Sequence, residues 1–338
     1  MTTAPIQGPG SRMKALVRKR GRTAIVWGVI LVAVLGTAYY FAVPMFAWSK
    51  VTTVDAEPDG ARPPAQPGST YLLVGSDSRE DLTEQQRQLL HTGDAAGGRA
   101  DTIMLLHDGD AATVLLSIPR ASLVDVPGHG TATINSAYAY GGPELLVEAV
   151  EQATGLRVDN YIEIGIGGVV NMVDTVGGIT ICPPAPMDDK RAGLHVERGC
   201  QPADGRTALA YARSRHAQRL DDLDRATHQR EVVSATGSEV FSPVTFVNPS
   251  RYWNVMNAGA GSIRVGESVG RMDFAKFLLT MRHVAGGSGL TCGMPVTGYA
   301  VSAVYWDEER AGRILDLIRT DHTDEIDGSL CQPSGLAY

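Results

Sequence analysis

The chain has 338 residues, enough for one large domain or two smaller ones. Its formal net charge is −7, but the first 50 residues carry seven basic side chains and no acidic ones, so 23 basic and 37 acidic residues remain for the rest. A body with a net charge of −14 excludes general nucleic-acid binding, which needs a basic face.

An uncharged, mostly apolar run over residues 24–43 follows the basic cluster Arg18–Arg22. Its length of 20 residues matches the hydrocarbon core of a bilayer, so we predict one N-terminal transmembrane helix there. The basic cluster predicts that residues 1–23 are cytoplasmic and that the remainder of this single-pass protein is extracellular. A cleaved signal peptide is the alternative, although the run is long for one and no Ala-x-Ala site follows it.

The four cysteines all lie in the part predicted to be extracellular, and none forms a CxxC motif. Metal-binding and redox motifs are therefore not indicated. An even number of cysteines in an oxidising compartment predicts two disulfides. Of the three connectivities we favour Cys182–Cys200 with Cys292–Cys331, because each pair closes a short, loop-like segment.

Strands alternate with helices after a Pro-rich stretch. We predict an extracellular linker over 44–69, a folded domain over 70–325 and a C-terminal tail over 326–338. The predicted strands are 71–75, 102–106, 113–118, 161–164, 178–182 and 293–297; the predicted helices are 83–91, 134–140, 143–154, 168–176, 205–215, 222–240, 271–284 and 308–319. Residues 241–266 give no clear pattern. The alternation is typical of an α/β domain with helices layered on a sheet.

The second and third predicted strands form a hairpin whose turn chemistry lies in Asp108–Asp110. A turn centred on Gly109 and Asp110 places Asp101 opposite Ile118 and Arg99 opposite Arg120. This register gathers two arginines and a carboxylate at one edge of the sheet.

Asp77 and Arg79 follow the first predicted strand and reach the same edge if that strand runs parallel to the third. Asp77 and Asp101 then form a carboxylate pair beside arginines. Such a set binds Mg²⁺ through oxygen while the arginines hold phosphate. The alternative is that these are loop-capping aspartates paired with a neighbouring arginine.

Residues 206–230 contain six arginines and three aspartates. Asp222, Arg225 and Gln229 are spaced i, i+3 and i+7, which places them on one face of a helix. Arg213 and Arg215 end the preceding helix, so the turn brings five polar groups together. Arginine suits phosphate because its planar guanidinium donates two parallel hydrogen bonds. The alternative is ordinary surface ion pairing.

Other residues of this stretch are predicted to lie outside the site. Arg206 is placed away from it, and Arg219 and Arg230 are predicted to be solvated. His195, His216 and His228 show no metal-binding spacing and are predicted to be surface residues. The sequence has no P-loop, no dinucleotide fingerprint after a strand and no GxSxG elbow, which disfavours nucleotide-binding and serine hydrolase readings.

Several blocks of this sequence, taken in order, resemble the LytR–CpsA–Psr family. They are LLVGSDSR, RADTIMLLH, LLSIPR, INSAYAYGGPELLVEAVEQATGLRVDNYIEI, VDTVGGITIC, LAYARSRH and DDLDRATHQR. The resemblance covers residues 70–240 and weakens towards residue 320. It implies a layered α-β-α domain with a mixed central sheet, preceded by the transmembrane helix.

The resemblance also implies an activity. Members of the family are membrane-anchored phosphotransferases of Gram-positive-type cell envelopes. They move a glycopolymer such as a teichoic acid from a polyprenyl-pyrophosphate carrier to peptidoglycan, forming a phosphodiester at a muramic acid 6-hydroxyl. Two alternatives remain open: a hydrolase of polyprenyl pyrophosphate, and a non-catalytic lipid-binding regulator of the envelope.

Roles for individual residues follow from the same resemblance. Asp77 and Asp101 are implied to hold Mg²⁺, or Mn²⁺ in its place. The implied pyrophosphate-binding or catalytic residues are Arg79, Arg99, Arg120, Arg213, Arg215, Asp222, Arg225 and Gln229. The resemblance does not assign the general base, for which Asp222 is a candidate. The family commonly has Gly where this chain has Asp224. The extra carboxylate either weakens pyrophosphate binding near the last arginine or points to solvent.

The isoprenoid tail of such a carrier requires an apolar tunnel. The candidate linings are the apolar faces of residues 71–74, 134–140, 145–150 and 169–173. Ordinary hydrophobic core is the alternative, and we favour it for most of them.

Overall fold

The computed structural model describes residues 9–77, 98–190, 192–214, 221–300, 303–332 and 335–336, with side chains of 9–23, 221–226 and 299–300 excepted. It divides into two compact units, Met1–Ser49 and Lys50–Tyr338. The first unit contains helix α1 (Pro9–Trp48), of which Ala24–Trp48 is long and apolar enough to cross a membrane. The helix thus includes the predicted span and continues beyond its predicted end.

The second unit contains the remaining helices and strands. The strands are β1 (Thr52–Val54), β2 (Ser69–Ser76), β3 (Ala100–Asp108), β4 (Val114–Ile118), β5 (Leu123–Val126), β6 (Gly130–Thr133), β7 (Asn160–Gly165), β8 (Ile179–Ile181), β9 (Met187–Asp189), β10 (Leu194–Val196), β11 (Gln201–Ala203), β12 (Ile263–Gly266), β13 (Leu290–Gly293), β14 (Val296–Ala300) and β15 (Ala303–Trp306). The helices are α2 (Ile134–Thr154), α3 (Ile166–Thr175), α4 (Gly205–Arg213), α5 (Asp221–Val240), α6 (Pro243–Val247), α7 (Pro249–Ser262), α8 (Arg271–Ala285) and α9 (Glu308–Arg319), followed by a 3₁₀ turn at Thr323–Glu325.

Seven strands form the central sheet in the order β1-β12-β7-β2-β3-β4-β13. The sheet is mixed, because β12–β7, β2–β3 and β3–β4 are antiparallel while the other neighbours are parallel. Alternate side chains of β2 point to opposite faces. Leu72 packs into a core with α2 and α9, whereas Leu73 lines a cavity on the other side, under α3, α5 and α8. This confirms the predicted layered α-β-α domain.

The predicted linker is wrong for much of its length. Thr52–Val54 forms an edge strand that pairs in parallel with β12, and Ala56 is buried in the main core. Arg62 places its Nη2 atom 2.6 Å from Oε1 of buried Glu151. Proline-rich composition argues against regular secondary structure, but it does not prevent a segment from packing on a folded body.

The hairpin exists, but its predicted register is shifted by two residues. Ile103, rather than Asp101, lies opposite Ile118. The reason is the connection: β3 ends at Asp108 and β4 begins at Val114, so five residues separate the strands instead of a two-residue turn. The shift places Asp101 beside Arg120 and removes the predicted pairing of Arg99 with Arg120.

Most other predicted elements are confirmed. The predicted break between two helices appears inside α2, where Gly141 and Gly142 are non-helical and Gly142 has φ +68°. The predicted strand at 178–182 forms β8, but it pairs with β11 outside the central sheet. The predicted strand at 293–297 is divided between β13 and β14. The predicted helix 83–91 lies outside the described residues, and the unassigned stretch 241–266 contains α6, α7 and β12.

Both predicted disulfides are confirmed. Cys182 is joined to Cys200 and Cys292 to Cys331. The second bond links β13 of the central sheet to the C-terminal segment. It therefore ties that segment to the domain, as predicted.

Candidate active site

The C-terminal ends of β2 and β4 and the N-terminal end of β3 meet at one edge of the sheet, because both outer strands are antiparallel to β3. Asp77 follows β2 directly, and its backbone N–H donates to the carbonyl of Arg99 over 2.9 Å. Arg120 follows β4, and its Nη1 donates to Oδ1 of Asp101 over 2.7 Å. The structure thus brings together four of the residues predicted for this edge.

The Asp101–Arg120 pair is largely sheltered from solvent, with side-chain exposures of 20% and 19%. A charge-assisted hydrogen bond of this length is stronger than a neutral one, and partial burial reduces its screening. The pair therefore fixes the Asp101 carboxylate at the sheet edge and orients the Arg120 guanidinium beside it.

Helices α4 and α5 supply a facing wall. Helix α4 begins at an N-cap, Asp204, whose side chain accepts from the Thr207 N–H over 2.8 Å, and it ends at Arg213. Gln229 of α5 is buried, and its Nε2 donates to the Asp101 carbonyl over 3.4 Å. This contact joins the helical wall to β3. The sequence predicted that these two elements lie on opposite sides of one site.

Four predicted site residues are not described at the side-chain level. Arg79 and Arg215 lie outside the described residues. Asp222 and Arg225 belong to α5, whose backbone is helical from Asp221 through Gln229. Their predicted i, i+3, i+7 relation to Gln229 agrees with this helix, and their roles stay predictions.

A cavity of about 240 Å³ lies between the sheet and the helices. Its polar part, which we call the mouth, is lined by Ser76, Asp77, Asp101, Arg213 and Gln229. Its remaining lining is almost entirely apolar and includes Leu73, Met104, Ile162, Ile164, Val169, Met172, Leu209, Val232, Val233, Phe277 and Met281. One space therefore combines a charged part with a hydrocarbon-like part.

The four candidate tunnel segments divide into two groups. Leu73 from the segment 71–74 lines the cavity, and so do Val169 and Met172 from the segment 169–173. Ile134 and Leu146, from the other two segments, are fully buried in the main core. The core alternative thus holds for the two segments of α2, and the tunnel hypothesis fits the other two.

Two residues next to Gln229 were predicted to be solvated, and this is wrong. Arg230 is 6% exposed, and burial lowers the pKa of its guanidinium to about 10. His228 is 7% exposed and packs against Tyr211 with 4.2 Å between ring centroids and a tilt of 32° between the ring planes, and burial lowers the pKa of its imidazole. Both lie on a helix enclosed by neighbouring elements on more than one side. Of the other predicted surface residues, His195 is exposed as expected, and His216 and Arg219 lie outside the described residues.

Sequence reasoning missed a buried carboxylate in β7. Glu163 is 1% exposed and accepts hydrogen bonds from the phenols of Tyr138, over 2.9 Å, and Tyr161, over 2.8 Å. Burial, together with this carboxylate, raises the pKa of both phenols, so they stay protonated donors. Glu163 lies between Ile162 and Ile164, which line the cavity, so it faces the opposite side of the sheet. The only signal in the sequence was an acid inside an apolar strand.

Comparison with known proteins identifies the family. The model of the LytR_cpsA_psr family matches residues 48–266. The probable cell wall biosynthesis protein LcpB of Corynebacterium glutamicum is 42% identical over 322 residues, which cover 93% of this chain and 76% of that protein. The chain belongs to the LytR–CpsA–Psr family.

Further relatives of this LytR–CpsA–Psr protein extend the comparison. The polyisoprenyl-teichoic acid–peptidoglycan teichoic acid transferase TagU of Oceanobacillus iheyensis is 33% identical over 184 residues, covering 52% of each chain. A LytR-Csp2A-Psr enzyme from Actinomyces oris superimposes with a TM-score of 0.65 at 21% identity, covering 80% of this chain and 96% of that one. At that identity the second likeness shows the fold alone.

Proposed function

We propose that this chain is a phosphotransferase that moves a glycopolymer from a polyprenyl-pyrophosphate carrier to a muramic acid 6-hydroxyl of peptidoglycan. The observation that carries the proposal is the cavity, whose mouth holds Asp77, Asp101, Arg213 and Gln229 and whose interior is apolar. A polyprenyl pyrophosphate has the same division into a charged head and a hydrocarbon tail. The name of the TagU relative, a teichoic acid transferase, supports the same substrate class.

The reaction exchanges one phosphorus–oxygen bond for another. The sugar 6-hydroxyl oxygen attacks the phosphorus that bears the glycopolymer, and the bond from that phosphorus to the bridging oxygen breaks. Polyprenyl phosphate leaves with the bonding electrons, and the hydroxyl proton passes to a base, for which Asp222 is the candidate. Arg120 and Arg213, at the edge and the mouth, neutralise charge on the phosphate oxygens.

Asp77 and Asp101 fit a magnesium ion by their chemistry. Both offer carboxylate oxygens close to the mouth, and Mg²⁺ is usually held by one or two carboxylates together with substrate phosphates and water. Among the described residues no group of three or more His, Cys, Asp or Glu side chains is placed to hold a metal. A bound Mg²⁺, or Mn²⁺ in its place, supplies a positive charge that stabilises the departing phosphate.

We further propose that the chain is anchored in the cell membrane with its N-terminus in the cytoplasm and its catalytic unit outside. The apolar helix Ala24–Trp48 and the two disulfides of the second unit support this topology. A thiol-reactive, membrane-impermeant reagent applied to intact cells tests it. The reagent is expected to label a cysteine introduced at exposed Asp188 and not one introduced at Thr3.

The activity is tested with the full chain in detergent, a polyprenyl-pyrophosphate-linked oligosaccharide and a peptidoglycan acceptor. Mass spectrometry is expected to find a phosphodiester-linked conjugate that depends on Mg²⁺. Asp77→Ala and Arg213→Ala are expected to abolish it, whereas the matched control Asp188→Ala, an exposed carboxylate of β9, keeps it. Release of the oligosaccharide phosphate without conjugate would establish the hydrolase instead. Unchanged transfer by both site variants would overturn the proposed site.

A further inference from the structure

The second unit exposes its large apolar side chains mainly in one stretch of sequence. Among its described residues, eight such side chains are exposed, and six of them lie between residues 244 and 279. We call these six the apolar surface: Val244, Phe246, Val247, Trp253, Met272 and Leu279. Scattered apolar residues on a surface are ordinary, but a concentration of large ones indicates an interaction site.

The part of the apolar surface on α6 and α7 is rigidly supported from below. Thr245 is fully buried, and its hydroxyl donates to the Glu239 carbonyl over 3.0 Å. Arg251 donates to the Thr245 hydroxyl and to the Glu239 carboxylate, each over 3.1 Å. These bonds hold the short helix in place, so that Val247 is presented with 80% of its surface exposed.

The part on α8 combines apolar and basic side chains. Met272 and Leu279 are spaced i, i+7 and are 72% and 60% exposed. Three cations, Arg271, Lys276 and Arg282, are exposed on the same helix. In a body that carries a net negative charge, this basic and apolar face is unusual. It has the composition of helices that lie in the interface of a membrane containing anionic lipids.

One of the helices that carry the apolar surface, α8, also forms part of the cavity wall. The inner side of α8 contributes Phe277 and Met281 to the cavity lining. At the C-terminal end of α8, the Ser238 hydroxyl of α5 donates to the Ala285 carbonyl over 3.3 Å, next to Glu239, which supports α6. Helix α8, which carries Met272 and Leu279 on its outer side, therefore also encloses the apolar interior.

We propose that the apolar surface rests in the outer interface of the lipid bilayer. The occupant is a lipid headgroup layer rather than a protein, because exposed cations complement anionic lipids. In addition, only three residues separate the membrane-length helix, which ends at Trp48, from β1. Contact with the bilayer would benefit catalysis by shortening the path through water that the carrier's tail takes into the cavity. Only this benefit rests on the proposed function.

The test uses the full chain in liposomes that contain phosphatidylglycerol, with a nitroxide label on Val247→Cys or Met272→Cys. Tyr305→Cys is the matched control, because Tyr305 is also an exposed large side chain but lies on β15. Electron paramagnetic resonance compares the accessibility of each label to oxygen, which partitions into lipid, and to a water-soluble nickel complex. The oxygen-to-nickel ratio is expected to be several-fold higher at 247 and 272 than at 305.

Equal ratios at all three positions would overturn the proposal. Protection from both reagents would also overturn it, because that result indicates burial against a second copy or another protein. A non-reducing peptide map of each labelled variant verifies that the two native disulfides remain. Since no substrate is present, failure of this test leaves the proposed transferase activity untouched, and loss of transfer in the activity test leaves the membrane contact untouched.

Discussion

Arg62 lies in the stretch that composition alone marks as a linker, and its removal tests whether that stretch belongs to the fold. Its guanidinium makes three of the four hydrogen bonds that Glu151 accepts: two from Nε, at 3.1 and 3.2 Å, and one from Nη2, at 2.6 Å. The fourth comes from the Val158 N–H over 2.7 Å. The Glu151 side chain is only 3% exposed, so Arg62→Ala leaves a buried carboxylate with a single donor.

Removing one partner of a buried ion pair costs about 3–5 kcal/mol, because the remaining charge stays uncompensated. With an unfolding entropy of about 2.1 cal/mol/K per residue, that loss lowers the midpoint of a unit the size of Lys50–Tyr338 by about 5–8 °C. Thermal unfolding of the full chain in detergent, followed by tryptophan emission, measures the change.

The double variant Arg62→Ala/Glu151→Gln separates charge from packing. It removes the uncompensated charge and is expected to recover much of the lost midpoint. Arg198→Ala, which truncates an exposed arginine, is the matched control and is expected to leave the midpoint unchanged. A midpoint for Arg62→Ala equal to that of the control would refute the reasoning and return this stretch to the status of a tether.

Three further predictions concern the site and the pH dependence of the fold. Arg120→Lys is expected to slow transfer by about 10- to 100-fold, measured as an initial rate, because an ammonium cannot hold both Asp101 and a phosphate in the planar geometry of a guanidinium. Val233→Phe is expected to reduce the polyprenyl lipid that co-purifies with the chain, measured by mass spectrometry, because it fills part of the cavity. Burial lowers the pKa of His107 and His228, so their imidazoles take up protons at higher pH in the unfolded chain than in the folded one. The free energy of unfolding is therefore expected to decrease as pH falls through about 6.5. Urea titrations at several pH values, with His107→Asn for comparison, would contradict this if stability were constant or rose on acidification.

The sheet edge could be predicted from the sequence because it depends on strand direction. Strands β2 and β4 both pair antiparallel with β3 and therefore run the same way, so residues that follow them gather with residues that precede β3. The exact pairing depends on the loop between β3 and β4. There the Asp110 N–H donates over 2.8 Å to Asp321, a residue 211 positions away. A local pattern carries no information about such a distant partner, which explains the two-residue error in register.

The burial of Arg230 and Glu163 was also beyond prediction, for a related reason. In each case the pattern of polar and apolar residues in the surrounding helix or strand permits the charged side chain to be exposed. Each side chain is instead buried by elements that are distant in sequence. For Glu163 the enclosing groups are the phenols of Tyr138 and Tyr161, which replace the hydrogen bonds of water. Helical or strand periodicity identifies faces, but it does not say how many faces the tertiary structure covers.

The strand pair β2–β3 contributes to both the apolar interior of the cavity and its mouth. On the proposed function, the same two strands would therefore position both the head and the tail of a carrier. Leu73 and Met104, which lie opposite each other, line the apolar interior, while Asp77 and Asp101 lie at the mouth. The two strands approach closely there: a side chain on Gly75 would place its Cβ 2.8 Å from that of Thr102. On the proposed function, a tail held in the cavity would fix where its pyrophosphate lies, and binding energy from the tail would orient the reacting phosphorus. A carrier with a shortened tail should consequently lose turnover as well as affinity.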